Sequence, residues 1–390
     1  MGRLNIYDPR ERALVTAADA ALWPIAAARR ALRSASAAAP RRILCLRLER
    51  IGDLLMTVPA LMHLRTLAPE ATIDLVVGSW NHELAAAIPA VDRVEVLDAA
   101  WLARGAGGRG PAALLSAARR WRARGYDLAF NFEPDIRSNL ALAVSGARRV
   151  AGFASGGGGA LLDVALDYDV RAHTADNALR LVHYALGSGP GDQNQTMGSD
   201  PGLRLPTAAI AAAAARLAAL PPGPRLGMHV SAGRAVKQWP EARFAVLAAR
   251  LVADRQAVIV LTGAPADRAQ VDVVKQAVPP ERVLDVAGQM DLVALAALLA
   301  QLELFVTGDT GPMHLAHAVG TPVVGIFGPS DPVRYAPRGA RDRVVRIDLP
   351  CSPCNRIRRP PARCTGHTPD CLAGIDVARV LHAIDEALGP

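Results

Sequence analysis

Cysteine and aromatic residues are both scarce in this chain. Five cysteines in 390 residues cannot build a disulfide scaffold, and they fit a reducing compartment. Aromatics make up 4%, which leaves few platforms for stacked bases, and no nucleic-acid recognition motif is present. A nucleic-acid partner is therefore not expected. No stretch of 18 or more residues is free of both charge and proline, so no transmembrane helix is expected. The opening MGRLNIYDPRER carries acidic residues where a secretory signal has its apolar core. No internal repeat of 20–50 residues is visible, and the GxxxxGK(S/T) phosphate loop is absent.

What is present is apolar and basic. Hydrophobic residues reach 51% and charged residues 21%, a balance that buries a core rather than staying disordered. Lys and Arg exceed Asp and Glu by 44 − 36 = 8, which favours an anionic partner such as a nucleotide or a phosphorylated lipid surface. Residues 1–40 stand apart: Ala and Arg dominate, and Leu14, Ala17, Ala18, Ala21, Leu22 and Ile25 recur at helical spacing before Arg29, Arg30 and Arg33. This predicts one or two amphipathic helices broken near Pro24. They either anchor the chain on an anionic membrane surface or pack on the domain behind them.

From residue 41 the pattern is strand, short loop, helix, strand. Strands are expected at 42–48, 73–77, 88–97, 128–132 and 150–153, with helices at 54–67 and 112–124 and a glycine-rich bend at 105–110. That order is the mark of a parallel α/β sheet. The polar, Gly- and Pro-rich stretch at 187–206 ends this first half, with 191–206 as linker. A second series follows a helix at 208–220. Its strands are expected at 225–230, 257–262, 282–285, 304–307 and 322–327, and its helices at 241–253, 266–277, 292–301 and 311–319. The expected layout is an N-terminal extension (1–40), a Rossmann-like domain (41–190), a linker (191–206) and a second Rossmann-like domain (207–390) with a Cys-containing loop and a closing helix.

Chemistry-bearing residues gather at strand ends, where open α/β sheets bind ligands. After the first strand comes Arg50-Ile51-Gly52-Asp53. Gly52 offers freedom for a left-handed turn and close approach. Asp53 is either a general base or substrate anchor, or a helix N-cap. The second half opens with Ser231-Ala-Gly233-Arg-Ala-Val-Lys237-Gln-Trp-Pro. There a hydroxyl, backbone amides and a mobile ammonium can meet phosphate oxygens, unless Lys237 is only an exposed loop cation. Asp309-Thr310-Gly311-Pro-Met-His314 begins a helix whose free N–H groups attract phosphate. The plainer alternative makes Asp309 a cap and His314 a packing residue. Cys351, Cys354, Cys364 and Cys371 cluster within 21 residues, which suits a structural zinc or iron, reduced thiols packed under a loop, or disulfides. Asp167-Tyr168-Asp169 matches a metal-binding D-x-D, yet VALDYDV reads as an ordinary strand.

Taken in order and spacing, three segments resemble glycosyltransferase family 9, the ADP-heptose:lipopolysaccharide heptosyltransferase family. They are RLERIGDLLMTVPALMHLRTLAPEATIDLVV (47–77), HVSAGRAVKQWPEARFAVLAARL (229–251) and FVTGDTGPMHLAHAVGTPVVGIFGPSDP (305–332), with a looser match at 131–153. The resemblance spans 41–390. It implies a GT-B fold, two facing Rossmann-like domains with parallel sheets and a cleft between them. It also implies inverting transfer from a nucleotide-diphosphate sugar, ADP-heptose above all, without a catalytic metal. Asp53 then maps to the base and Lys237 to a donor-phosphate contact. Asp309, Thr310, Gly311 and His314 map to the nucleotide-diphosphate site, with Ser231 and Gly233 beside it, and Met290 maps to a residue against the adenine. Arg47, Arg50 and Gly52 fall on the acceptor side, where an anionic lipopolysaccharide core or related lipid-linked glycan suits them. The setting implied is cytoplasmic, peripheral at the inner face of a bacterial inner membrane. The sequence departs from the family pattern at SAGRAV before Lys237. That keeps open another nucleotide sugar on O-antigen, capsule or protein, or a non-catalytic nucleotide-sugar-binding relative.

Overall fold

A computed structural model describes residues 4, 6, 8–31, 39–99, 111–187 and 202–389. It divides into two compact units, Met1–Gly202 and Leu203–Pro390. The bend expected at 105–110, Arg33 and residues 191–201 lie outside the described residues, as do the side chains of Arg29 and Arg30.

The first unit carries β1 (Arg42–Arg47), β2 (Thr72–Val77), β3 (Arg93–Val96), β4 (Leu128–Asn131), β5 (Arg149–Phe153) and β6 (Val164–Leu166). They pair side by side, all parallel, in the order β3-β2-β1-β4-β5-β6. The second unit carries β7 (Arg225–His229), β8 (Val258–Thr262), β9 (Val283–Asp285), β10 (Leu304–Gly308), β11 (Val323–Ile326) and β12 (Arg343–Val345). Its parallel order is β12-β11-β10-β7-β8-β9. Counted within each unit, both sheets run 3-2-1-4-5-6, the dinucleotide-binding order. The Rossmann-like α/β class expected from the sequence is thus what each unit has.

The central strands read as continuous apolar runs because helices cover both faces. In the first unit Leu44, Leu46 and Val76 pack with Trp121 and Tyr126. In the second, Met228, Ile259, Leu261 and Val306 pack with Phe244, Leu247 and Leu251 of the helix Glu241–Arg255. Trp239 seals the start of that helix, edge-on to Phe244 and donating to the Ile375 carbonyl at 3.0 Å.

The N-terminal segment differs from expectation. One helix, Pro9–Ala31, runs straight through Pro24. The missing N–H at Pro24 costs one intrahelical bond without ending the helix. Val15 is buried, and its side chain abuts Gly157. The Gly158 N–H donates to the Asp19 carboxylate. Gly157 and Gly158 hold φ of +94° and +73°, a left-handed turn that leaves no room for side chains between helix and domain. Leu14 and Trp23 remain 73% and 58% exposed. Among the described residues no helix is long and apolar enough to cross a membrane.

Two further boundaries moved. The helix expected at 54–67 is two, Ile51–Leu55 and Val58–Leu67. The D-x-D match is not strand: β6 ends at Leu166, and Asp167–Asp169 form the loop beyond its carboxyl end.

Candidate active site

Because every strand is parallel, each sheet gathers its carboxyl ends on one edge. The strand order reverses between β1 and β4 and between β7 and β10, the switch points where such sheets bind ligands. Arg47, Arg50, Gly52 and Asp53 follow β1. Ser231, Gly233 and Lys237 follow β7, and Asp309, Thr310, Gly311 and His314 follow β10.

In the first unit the loop after β1 is only three residues long, so Gly52 and Asp53 lie inside the first turn of Ile51–Leu55. Gly52 is buried and helical rather than left-handed. Asp53 is the third helical residue, not the N-cap. The cap is Arg50, exposed, whose N–H donates to Asp53 Oδ2 at 3.3 Å. Helix geometry therefore aims the Asp53 carboxylate back over the end of β1.

Arg47 was expected to meet an acceptor, and the structure corrects this. It is 2% exposed and already committed. Its Nη1 pairs with Glu49 Oε2 at 3.0 Å and its Nη2 with Asp53 Oδ1 at 3.6 Å. Its Nε donates to the Asp53 carbonyl at 3.2 Å, and Nη1 also donates to the Phe132 carbonyl. Burial works against its charge, but Glu49, Asp53 and Glu133 outweigh that cost and keep it a cation.

Sequence reasoning missed Glu133. It sits just past β4, is 2% exposed, and accepts from the Leu48 and Glu49 amides and from Ser138 Oγ at 2.7 Å. Burial raises its carboxyl above the usual range although Arg47 and these bonds oppose the shift. Glu49 was missed too. Burial, then the neighbouring Asp53 carboxylate, push its carboxyl up to about 8. Trp80 and Asn81 clamp the Glu49 carbonyl at 2.9 and 3.0 Å. The centre is thus one buried arginine ringed by carboxylates, with Asp53 partly open to solvent.

In the second unit Lys237 ends a 3-10 turn, Ala235–Lys237. It is not the mobile cation expected: its Nζ donates to Asp309 Oδ2 at 2.7 Å, with both side chains largely buried. Burial disfavours the Asp309 charge, but Lys237 and His314 hold its carboxyl below the usual range. Asp309 is not the cap either. Thr310 caps the helix Gly311–Ala318, makes no side-chain cap bond, and has its hydroxyl 3.0 Å from that of Thr307. The first amides of this helix therefore receive nothing from the cap side chain. His314 is buried one turn in.

Ser231 is buried, with Oγ 3.2 Å from His229 Nε2, and His229 Nδ1 is 3.1 Å from Thr262 Oγ1. Thr262 donates its own proton to the Met228 carbonyl. The imidazole therefore donates from Nδ1 and accepts from Ser231. Burial lowers the His229 pKa to about 4, so it is neutral. Sequence reading passed it over because a lone histidine at a strand end carries no spacing signal. Gly233 lies exposed in the bend before Lys237, and Met290 is half-buried after the edge strand β9, two strands from β7.

The four clustered cysteines, together with Val236, Pro329, Arg356 and Arg363, line one cavity of about 410 Å³. All are free thiols, Cys371 buried and Cys351 exposed. Burial and the other three sulfurs push the Cys371 thiol up to about 11. Among the described residues no three His, Cys, Asp or Glu side chains stand already arranged for one ion.

The comparisons with known proteins agree with this geometry. Lipooligosaccharide heptosyltransferase 2 of Haemophilus influenzae is 32% identical over 114 residues, which is 28% of this chain and 33% of that protein. The chain thus matches about a third of the length of that curated relative. Among solved structures, E. coli ADP-heptose lipopolysaccharide heptosyltransferase II superposes with a TM-score of 0.71 at 21% identity, covering 89% of this chain and 98% of that one. E. coli heptosyltransferase WaaC with ADP-2-deoxy-2-fluoro heptose gives 0.65 at 22%, covering 88% and 99%. These two likenesses bear on the fold. The family model for glycosyltransferase family 9 (heptosyltransferase) matches residues 114–362, more than half of the chain and parts of both units, so the chain belongs to that family.

Proposed function

We propose that the chain is an inverting glycosyltransferase that moves heptose from ADP-heptose onto a lipopolysaccharide core or related cell-envelope glycan. One observation carries this reading. The residues that match the family's motifs stand at the switch point of their own sheet, Asp53 beside β1 and β4, Lys237 and Asp309 beside β7 and β10. ADP-heptose is chosen as donor in line with the ADP-2-deoxy-2-fluoro heptose held by WaaC.

In this reading an acceptor hydroxyl gives its proton to Asp53 as its oxygen attacks the anomeric carbon. The bond from that carbon to the diphosphate breaks, and the diphosphate leaves with the electron pair. Lys237 meets the developing charge. Asp309 holds its ammonium in place, and an ammonium has three protons to donate, so it can keep Asp309 and still reach a phosphate oxygen. The amides at the start of Gly311–Ala318 and the helix dipole add to this. No catalytic metal is called for. Arg47 holds the Asp53 side chain and backbone in place rather than touching the acceptor.

The four thiols fit a soft structural ion by donor type. A zinc or iron there would tie the segment after β12 to itself, Cys351 and Cys354 to Cys364 and Cys371, beside Val236. A peripheral membrane setting stays part of the proposal, since Leu14 and Trp23 give the helix Pro9–Ala31 apolar side chains for an anionic lipid surface.

The test is transfer assayed with ADP-, UDP-, GDP- and dTDP-sugars in EDTA. Preference for ADP-heptose, with transfer abolished in Asp53→Ala and in Lys237→Ala while both fold, is the expected result. Full activity in either variant removes that residue's role, and preference for another base replaces the donor.

A further inference from the structure

The Asp167-Tyr168-Asp169 segment does work that a metal motif does not describe. It forms one wall of a second cavity, about 490 Å³, together with Arg180 and Tyr184 of the helix Thr174–Leu186. That volume lies within the ordinary range of small-molecule sites. We propose that this cavity is a saccharide subsite, which takes sugar units of the acceptor away from the hydroxyl that is attacked. The inference rests on the glycosyltransferase reading above and adds a recognition site to it.

The chemistry of the lining argues for a neutral polyol. Tyr184 is 57% exposed. Exposed on a helix with no ring partner among the described residues, it offers a flat apolar face with a polar tip, suited to the C–H face of a pyranose. Arg180 is anchored by a hydrogen bond to the Asp167 carbonyl. No carboxylate of the described residues pairs with it, and the Asp167 and Asp169 carboxylates are likewise without a cationic partner. Asp169 is oriented by the Arg171 amide at 2.8 Å and by Asn177, which accepts from the Asp169 N–H at 2.9 Å and donates to its carbonyl at 2.9 Å. Two carboxylates and one guanidinium within one cavity supply acceptors and donors together. Sugar hydroxyls use both, whereas a simple anion or cation uses only one kind.

The cavity also connects with the catalytic centre. Tyr168 packs edge-on against Phe153 with ring centroids 5.1 Å apart, and its hydroxyl donates to Thr174 Oγ1 at 3.1 Å. It lies close enough to Arg47 for the two groups to interact. One residue thus lines the cavity and neighbours the arginine that fixes Asp53. A glycan with its attacked hydroxyl at Asp53 has further sugars to place, and Tyr168 marks the direction.

The probe is deacylated, dephosphorylated lipopolysaccharide core oligosaccharide, titrated calorimetrically into the full chain and its Tyr184→Ala, Tyr184→Phe and Asp167→Asn variants. Acceptor KM is measured in parallel. Both positions are solvent-facing, so the variants fold. The expected result is at least a tenfold loss of oligosaccharide affinity and a matching rise in acceptor KM for Tyr184→Ala and Asp167→Asn. Donor KM and kcat stay unchanged, and Tyr184→Phe retains wild-type binding because it keeps the ring. Unchanged affinity in Tyr184→Ala and Asp167→Asn overturns the subsite, as does a wild-type chain that binds no oligosaccharide at millimolar concentration. Binding that depends on Tyr184 without any sugar transfer by the wild-type chain keeps the subsite and overturns the transferase reading instead.

Discussion

Replacing Arg47 with methionine removes a cation that Glu49, Asp53 and Glu133 share. The guanidinium is 2% exposed and reaches Glu49 at 3.0 Å and Asp53 at 3.6 Å. Methionine fills much of the space but leaves the buried Glu133 without its cation and the half-buried Glu49 and Asp53 without theirs, a loss below the ~3–5 kcal/mol of a fully buried pair. The sign with pH follows from the groups left behind. Glu49 titrates at about 8 in the folded chain and at about 4.3 unfolded. Between those values the folded state holds a proton that the unfolded state has released. Its contribution is therefore complete below the unfolded value and is lost as pH rises through about 8. Without Arg47 that loss deepens, so the variant suffers most in alkali. Urea unfolding at pH 6 and pH 9, compared by midpoint at constant m, should show the Arg47→Met penalty larger at pH 9 by at least about 1 kcal/mol, roughly one unit of titration of a single carboxyl. Arg47→Lys should recover part of the loss, because an ammonium restores charge but not the fork that also reaches the Phe132 and Asp53 carbonyls. A penalty below about 1 kcal/mol, or one equal at both pH values, would refute the account of Arg47 as the charge that holds the ring together.

Two further expectations concern the second unit. His229 titrates near 4 when folded and near 6.5 unfolded, so its contribution is full above about 6.5 and is lost as pH falls towards 4. His229→Asn should flatten the acid side of the stability profile by about 3 kcal/mol, and an unchanged acid limb would show that the imidazole is not held neutral. Metal analysis of protein purified under reducing conditions should find one zinc or iron per chain, lost in a Cys354→Ser/Cys371→Ser variant of unchanged circular dichroism. Four freely titrating thiols and no bound metal would leave the cysteines as packing residues.

Among the described residues ten of the twelve strands were legible, most of them apolar runs of four to six residues bounded by Gly, Pro or Asp, although the expected 88–97 overran the four-residue β3 and β9 has only three residues. The exceptions are instructive. β6 is three residues long with half-exposed side chains, and β12 is an equally short edge strand, so neither carries a buried run. The helices Ile136–Ala143 and Thr174–Leu186 were not anticipated, although each opens on a side-chain cap, from Asp135 and from His173. In the site, Asp53, Lys237 and Asp309 were visible because each falls in a spaced motif. Glu133 was not, because its partners at Leu48 and Glu49 lie 85 and 84 residues away. Only the adjacency of β1 and β4 brings them together. Arg47 was placed on the acceptor side by its charge; Glu49 and Asp53 stand two and six residues on, but only the fold turns them, with Glu133, onto its guanidinium.

The shared strand order also bears on how the chain becomes itself. In the first sheet, Ile43 finds its neighbour Leu128 only after two other strands and their helices have been made. In the second, Leu226 waits in the same way for Leu304. Pairings this distant in sequence are slow to form, since a long loop must close before they repay it. The loops after β1 and β7 are therefore seated late in the maturation of their own units, once the fourth strand arrives at the centre of the sheet. During synthesis the first unit acquires its centre while the second is still unmade. A stalled or truncated chain ending before Leu128 would carry the Asp53 motif intact and yet lack Glu133 and the Phe132 carbonyl that hold Arg47 and the loop after β1.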